Sequence, residues 1–472
     1  MFNKFLELIQ SKSNYLYENS LLLKNIDKLV FLSIILVFVS STVMSSDFIG
    51  FVALISVLLS FIRILIKPNE KIELKTFEIW LLAYFMIVVV SLAGSTLFHL
   101  SLKGFLKTFT YITFYLSTAQ YLKNNKDKIP YILGTIGLCV SFEAIAGLLQ
   151  NFAKVSEIST WQDVSNLNPE QVMTRVYGTL KPLNPNLLGG YFVAGIPALY
   201  GISAYLYMSL RGADFHINEK ADVHLSQAME PSSNSGLSRS LSSLAITVNS
   251  TFGMIITLIF AVLSTVVLFL TGCRGSYIGM FVIFCEVFAV SAKFLWENFK
   301  TAYLSIVGSV IAISTIIFMA VSSLRARILS IFAMRQDSSN SFRFNVYQSS
   351  LDMFKDNWLV GIGVGNLNFR EIYGLYMRTG FDALSTYNIY LEVAVESGIF
   401  ALIAFVGFLI SLIKDSIKFI LKSTDNKSVI VVSAALISIC AVCVHGFVDT
   451  VFFRPQIQFI FWTMVAIVKN YI

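Results

Sequence analysis

Charged side chains are scarce. Asp, Glu, Lys and Arg make up 13% of the 472 residues, and 56% are hydrophobic. Soluble domains carry roughly 25% charged residues, so a soluble globular domain is excluded. Histidine is also sparse, and the four present form no metal-binding spacing. The five cysteines, Cys139, Cys273, Cys285, Cys440 and Cys443, lie inside or at the end of apolar runs. That placement excludes a disulfide framework, and Cys440-x-x-Cys443 reads as helix packing rather than a zinc site. No β-type alternation and no internal repeat is seen. The N-terminus lacks a short apolar core followed by a small-residue cleavage site, so the first hydrophobic segment is expected to stay as an anchor.

What the chain has in abundance is apolar runs of about 20 residues, the length that crosses a bilayer. They fall at 29–46, 48–66, 77–97, 107–122, 129–150, 186–210, 248–270, 276–293, 301–322, 387–413, 428–449 and 457–470. The expected fold is therefore an all-α polytopic membrane protein of about twelve transmembrane helices. Lys and Arg are enriched in alternate connections, and this bias places both termini in the cytoplasm. The net charge of +7 goes with those cytoplasmic flanks and not with nucleic acid. The chain divides into helices 1–9 over 1–322, a large external loop over 323–387, and helices 10–12 over 388–472.

Three polar stretches interrupt the pattern. Residues 211–247 are Ser-rich, cannot bury a core, and read as a flexible cytoplasmic loop. Residues 151–185 form an external loop ending RVYGTLKPLNP. The longest stretch, 323–387, carries Arg325, Arg327, Arg335, Arg343, Lys355, Arg370 and Arg378 on the side where basic residues are not the rule. Within it Tyr347, Leu351, Phe354 and Trp358 recur at helical spacing, the mark of an amphipathic helix resting on the membrane surface or on the bundle.

Several residues have the chemistry of a site. Arg175 precedes a Pro- and Asn-rich helix entry (Pro182, Asn184, Pro185, Asn186). A helix N-terminus there offers free N–H groups to an anion, and the guanidinium offers a bidentate phosphate partner. Arg274 sits in a very short turn between two spans, where an Arg is costly unless it snorkels or finds a partner. Arg343 leads the amphipathic helix; a solvated face is the plain reading. GIGVGN (361–366) lacks dinucleotide-loop spacing and a preceding strand, and reads as flexible turn backbone. Asn388, Glu392 and Glu396 share one helix face below Tyr387, and intramembrane carboxylates mark functional sites unless they only serve a bend. Asp449 and Arg454 flank the last external turn and pair with each other or with the large loop, a structural salt link being the favoured reading. His445 packs or titrates.

The order of these motifs is similar to that of the O-antigen ligase/polymerase superfamily. It runs Arg-x-x-Gly-Thr to Asn-Pro-Asn at 175–186, Thr-x-x-Arg-Gly-Ser at 271–276, Arg343 with GIGVGN, then Tyr-Asn-x-Tyr-Leu-Glu to Glu-x-Gly at 387–398. RVYGTL, SSNSFR and HGFVDTVFFRPQ further resemble the IctB branch, linked to inorganic-carbon accumulation and often labelled a putative bicarbonate transporter family. The resemblance implies a GT-C-like fold of twelve helices in the bacterial inner membrane, with its large loop between helices 9 and 10. It implies cofactor-free, metal-independent transfer or polymerisation of glycan from an undecaprenyl-diphosphate carrier in the lipid bilayer. Carried over by position, Arg175, Arg274, Arg343 and Asn186 become diphosphate ligands. Tyr387, Asn388 and Glu392 become the catalytic group, and Asp449 and Arg454 become structural. The ligases place a histidine base where Tyr387 stands here. Ordinary Tyr, with a pKa of about 10, is a poor base near neutrality, so Glu392 is a candidate to replace it. The IctB likeness gives the other expectation: bicarbonate, a small anion, held by the same cations.

Overall fold

The computed structural model describes residues 10–11, 17, 19–67, 72–153, 175–227 and 235–472; the side chains of 211–249 and Asn298 lie outside that description. Among the described residues there is no strand. The bundle is built from α1 (Ile26–Val43), α2 (Ser46–Ile66), α3 (Thr76–Gly94), α4 (Phe98–Lys123), α5 (Ile129–Phe152), α6 (Pro185–Gln227), α7 (Ser235–Leu270) and α8 (Arg274–Ala320). The large loop contributes α9 (Ser322–Leu329), α10 (Ser338–Asp356) and α11 (Asn366–Tyr373). The bundle then closes with α12 (Ile389–Lys422), α13 (Asn426–His445) and α14 (Pro455–Lys469).

Among the described residues, ten segments are long and apolar enough to cross a membrane. Two of them lie in α8, which is not one straight rod. Tyr303 Oη donates to the Phe288 carbonyl at 2.8 Å, although fifteen residues of straight helix would separate them by about 22 Å. The chain folds back at Phe299, whose φ/ψ of −133°/32° is non-helical. The two remaining expected spans, 107–122 and 457–470, fall on α4 and α14, which do not meet that standard. Helix α4 carries Lys103, Lys107 and a run of Thr and Ser. Helix α14 has 15 residues, about 22 Å at 1.5 Å per residue. Helix α14 need not meet it on its own, because it is buried along almost its whole length and packs against α1, α2, α4, α6 and α13. Over 211–247, read as a loop, the described backbone is helical up to Gln227 and again from Ser235.

The loop has a small core of its own: Phe342, Val346, Met353, Ile362, Phe369, Tyr373 and Ala383, closed by Val395 of α12. Each large apolar side chain buried this way contributes about 1.5–3 kcal/mol. Of the stripe expected on α10, Phe354 packs against this core and Tyr347 is half-buried, while Leu351 and Trp358, the latter beyond the end of the helix, are exposed; Phe342, Val346 and Met353 form the face turned fully inward. The reason is that α10 docks on α11 and α12 through a face where small serines (Ser341, Ser349, Ser350) admit close approach.

The glycines of GIGVG are not there for flexibility. Helix α12 breaks at Gly398, with φ +82°, and the break frees carbonyls on the turn before it. Ile362 N donates to Val395 O at 3.0 Å and Gly363 N to Glu396 O at 2.9 Å. A Cβ on Gly361 would lie 2.3 Å from the Glu396 carbonyl. The loop is pressed onto the broken helix as its cap, which only glycine at positive φ permits.

Candidate functional site

The site grows from one tight turn, residues 271–274, between α7 and α8. Gly272 adopts φ +62°, which points successive carbonyls outward, and two arginines bind them. Arg175 Nε donates to Thr271 O at 2.7 Å, and Arg327 Nε, from α9, donates to Gly272 O at 2.9 Å. Arg274 follows at once. Its Nη1 meets Asp337 Oδ1 at 2.7 Å and the Ser330 Oγ at 3.0 Å. Its Nη2 is buried and has no hydrogen-bond partner among the described residues. Three guanidinium groups thus surround one turn. Burial, and then the like charges of Arg274 and Arg175, hold Arg327 down at about 10.

Arg175 is set by its strap. Gln150 of α5 accepts from Tyr177 N and Gly178 N at 3.0 and 2.9 Å. Glu143, fully buried on the same helix, accepts from Thr179 N at 2.9 Å and Thr179 Oγ1 at 2.6 Å. Beyond the strap, Asn184 Oδ1 accepts from Asn186 N at 2.7 Å, and Asn186 Oδ1 accepts from Arg175 Nη2 at 2.5 Å. The strap therefore presents Arg175 at the N-terminus of α6.

Arg343 approaches from α10. Its Nη1 donates to Ser339 Oγ at 2.9 Å, its Nη2 lies 3.9 Å from Asp449 Oδ2, and its guanidinium carbon stands 5.8 Å from the centre of the Tyr387 ring. Asp449 thus pairs with Arg343 of the large loop, one of the two partners left open by the sequence, the other being Arg454. Tyr387 has φ +56°, a strained setting for a bulky side chain. It is held edge-on against Phe342 at 5.8 Å. Burial pushes its phenol up, the Asp449 carboxylate adds to the rise, and Arg343 opposes it.

These groups line one cavity of about 660 Å³. Arg175, Asn186, Arg274, Arg343, Tyr387, Glu392, Asp449 and Arg454 all contribute to its wall. Asn388 does not. It is the N-cap of α12, with Oδ1 accepting from Tyr390 N at 2.9 Å and Leu391 N at 3.0 Å, while Nδ2 donates to Phe447 O at 3.0 Å. Glu392 Oε2 accepts from Thr386 N at 2.6 Å, tying the turn that carries Tyr387 to the helix below it. His445 is buried against the Cys273 thiol at 3.8 Å and does not reach the wall, though Cys273 does.

Sequence reading counted Arg327 only among the seven cations of the large loop and passed over Lys107 and Asp337. Arg327 differs from its neighbour Arg325 by no local signal, since only the fold-back of α9 over the Gly272 carbonyl separates their roles. Asp337 is legible afterwards as the acid two residues before SNSFR, but nothing in the sequence ties it to Arg274, 63 positions away.

Fold and cavity together define a multi-pass helical membrane protein with an arginine-lined chamber beneath its large loop. Over residues 259–406 the chain matches the family model described as O-antigen ligase, Wzy_C. The match supports the O-antigen ligase superfamily. The matched stretch runs from α7 through the 271–274 turn, α8 and the loop into α12. It holds Arg274, Arg327, Arg343, Tyr387 and Glu392; Arg175, Asn186, Asp449 and Arg454 lie outside it. No curated protein matches the chain.

Proposed function

We propose that the protein transfers glycan from a lipid-diphosphate carrier, of the undecaprenyl-diphosphate type, to an acceptor hydroxyl at the external face of the bacterial inner membrane. The observation that carries this reading is the convergence of Arg175, Arg274 and Arg327 on the 271–274 turn, with the buried Arg274 Nη2 left without a hydrogen-bond partner among the described residues. Three cations held close without an equal number of anions is a costly arrangement. A diphosphate offsets that cost, most of all as its charge develops on departure. The acceptor oxygen forms the new bond to the anomeric carbon, and the carbon–oxygen bond to phosphate breaks. The electron pair leaves on the diphosphate, into the field of the arginines. Asn186 orients Arg175, Asn388 caps α12, and Glu392 positions the Tyr387 turn. The wall formed by Gly50, Phe51 and Leu54 of α2 and Leu106 of α4 gives an isoprenoid chain an apolar approach. Asp449 and Arg454 frame the chamber from the far side, the former as the counter-ion of Arg343.

Purified protein in nanodiscs should bind undecaprenyl diphosphate, and Arg175→Ala, Arg274→Ala or Arg327→Ala should each weaken that binding about tenfold or more, the scale of a lost charge-assisted hydrogen bond. Equal affinity in all three variants would refute the assignment. The IctB-like alternative, bicarbonate uptake, would use the same arginines. The chamber of about 660 Å³ favours a larger ligand, and labelled-bicarbonate flux into vesicles tests the alternative directly.

A further inference from the structure

We propose that Glu396 is the group that takes the proton from the acceptor hydroxyl. The inference rests on the transfer reading and deepens it, because that reading leaves the base unnamed where the resembling ligases have histidine. The chamber wall offers few candidates. Tyr387 stays protonated, its phenol raised by burial. Asp449 faces Arg343 and accepts from Val451 N at 3.1 Å. Glu392 is 2% exposed and is engaged by Thr386 through both its backbone N–H and its side chain. Asp47 stands exposed at the start of α2. His445 is away from the wall.

Glu396 is different because it is fixed from several directions. Its carbonyl accepts from Gly363 N at 2.9 Å and from Ser91 Oγ at 2.7 Å. Its Oε1 accepts from Gly365 N at 2.8 Å. Gly365 in turn is wedged against α4, where a Cβ on Gly104 would lie 2.4 Å from the Val364 carbonyl. A carboxylate so held has one oxygen engaged, and the residue lines the chamber, the pre-organisation expected of a reacting group.

The surroundings fit a hydroxyl-rich acceptor. Tyr84 of α3 and Tyr111 of α4 share this part of the wall. Both are only 8% exposed, and their rings are clamped on Phe405 and Phe459. Neither phenol makes a hydrogen bond to the described residues. Glu396 interacts electrostatically with Glu392 of its own helix and with Tyr84 of α3; the other charged and titratable groups of the chamber wall are Lys107 and Tyr111 of α4, Asp47, Arg175, Cys273, Arg274, Arg327, Arg343, Tyr387, Asp449 and Arg454. In the step itself the acceptor O–H bond breaks as the new carbon–oxygen bond forms. The proton passes to the open Glu396 oxygen, giving a neutral carboxylic acid, and returns to solvent after the diphosphate has left.

The test uses full-length protein in nanodiscs with an undecaprenyl-diphosphate-linked oligosaccharide and a panel of saccharide acceptors. Glu396→Gln should lower turnover about 10³-fold, within the usual range for a general base, while undecaprenyl diphosphate still binds. Glu396→Asp should recover part of the rate with a displaced acid limb in the pH profile, which a merely structural cap would not produce. Turnover in Glu396→Gln within about tenfold of wild type would overturn the assignment, as would disappearance of the acid limb in Glu392→Gln rather than Glu396→Gln. If wild-type protein transfers to none of the acceptors, the transfer reading falls and the assignment falls with it. Retained transfer in Glu396→Gln defeats the assignment alone.

Discussion

At the scale of single residues, Tyr387 stands out. It occupies the position of the histidine in the resembling ligases, in a left-handed backbone conformation and beneath the Arg343 guanidinium. A phenol raised by burial remains neutral across the physiological range, so it neither donates charge nor accepts a proton there. Tyr387→Phe should therefore retain transfer within about threefold, with an unchanged pH profile between about 6 and 9. A general base removed outright would cost about 10²–10⁴-fold, so a loss of that size in Tyr387→Phe would return the tyrosine to the chemistry. The residue types of the site were legible before the fold. Arg175, Arg274 and Arg343 were each conspicuous as cations in a charge-poor chain. Arg327 was not, because what sets it apart from Arg325 is a backbone carbonyl 55 positions earlier.

At the scale of elements, the broken helix α12 and the glycine loop form one unit. The sequence shows GIGVG and Glu-Ser-Gly as separate irregularities, and each has an innocent explanation on its own. Their pairing is a tertiary hydrogen-bond pattern, Ile362 to Val395, Gly363 to Glu396 and Gly365 to the Glu396 side chain, which no periodicity encodes. Gly361→Ala places a methyl 2.3 Å from the Glu396 carbonyl at φ +77°. It should destabilise the protein by about 1–3 kcal/mol and depress transfer, as read by thermal unfolding and turnover on the same preparation. Wild-type values for both would mean that the loop does not hold the carboxylate. The same limit explains the α10 stripe. Helical spacing finds an apolar face, but docking on α11 and α12 is decided by the small serines beside Phe342 and Val346.

At the scale of the whole molecule, the all-helical membrane architecture follows from charge scarcity and run length. Span count is harder to read. Helix α14 is buried along almost its whole length and so needs neither the apolarity nor the length of a lipid-facing span, while α4 is long enough but is diluted by Lys, Thr and Ser. Orientation is proposed from the distribution of Lys and Arg. A single cysteine introduced by Arg378→Cys, in a chain with its own cysteines replaced by serine, should react with a membrane-impermeant maleimide added to intact cells. One introduced by Ser423→Cys should react only after permeabilisation, and the reverse pattern would invert the topology. Runs and loops do not supply convergence, which only the family resemblance implied for Arg175, Arg274 and Arg343: these three, with Arg327 and Arg454, come from four separate stretches of the chain to one wall. The central claim is that this wall neutralises a departing diphosphate, and single-turnover transfer from an undecaprenyl-diphosphate-linked oligosaccharide tests it most directly. Arg175→Ala and Arg274→Ala should each remain folded in the membrane and lose about 10²–10³-fold in rate, the scale of one lost transition-state contact. Full activity in either variant would contradict the account.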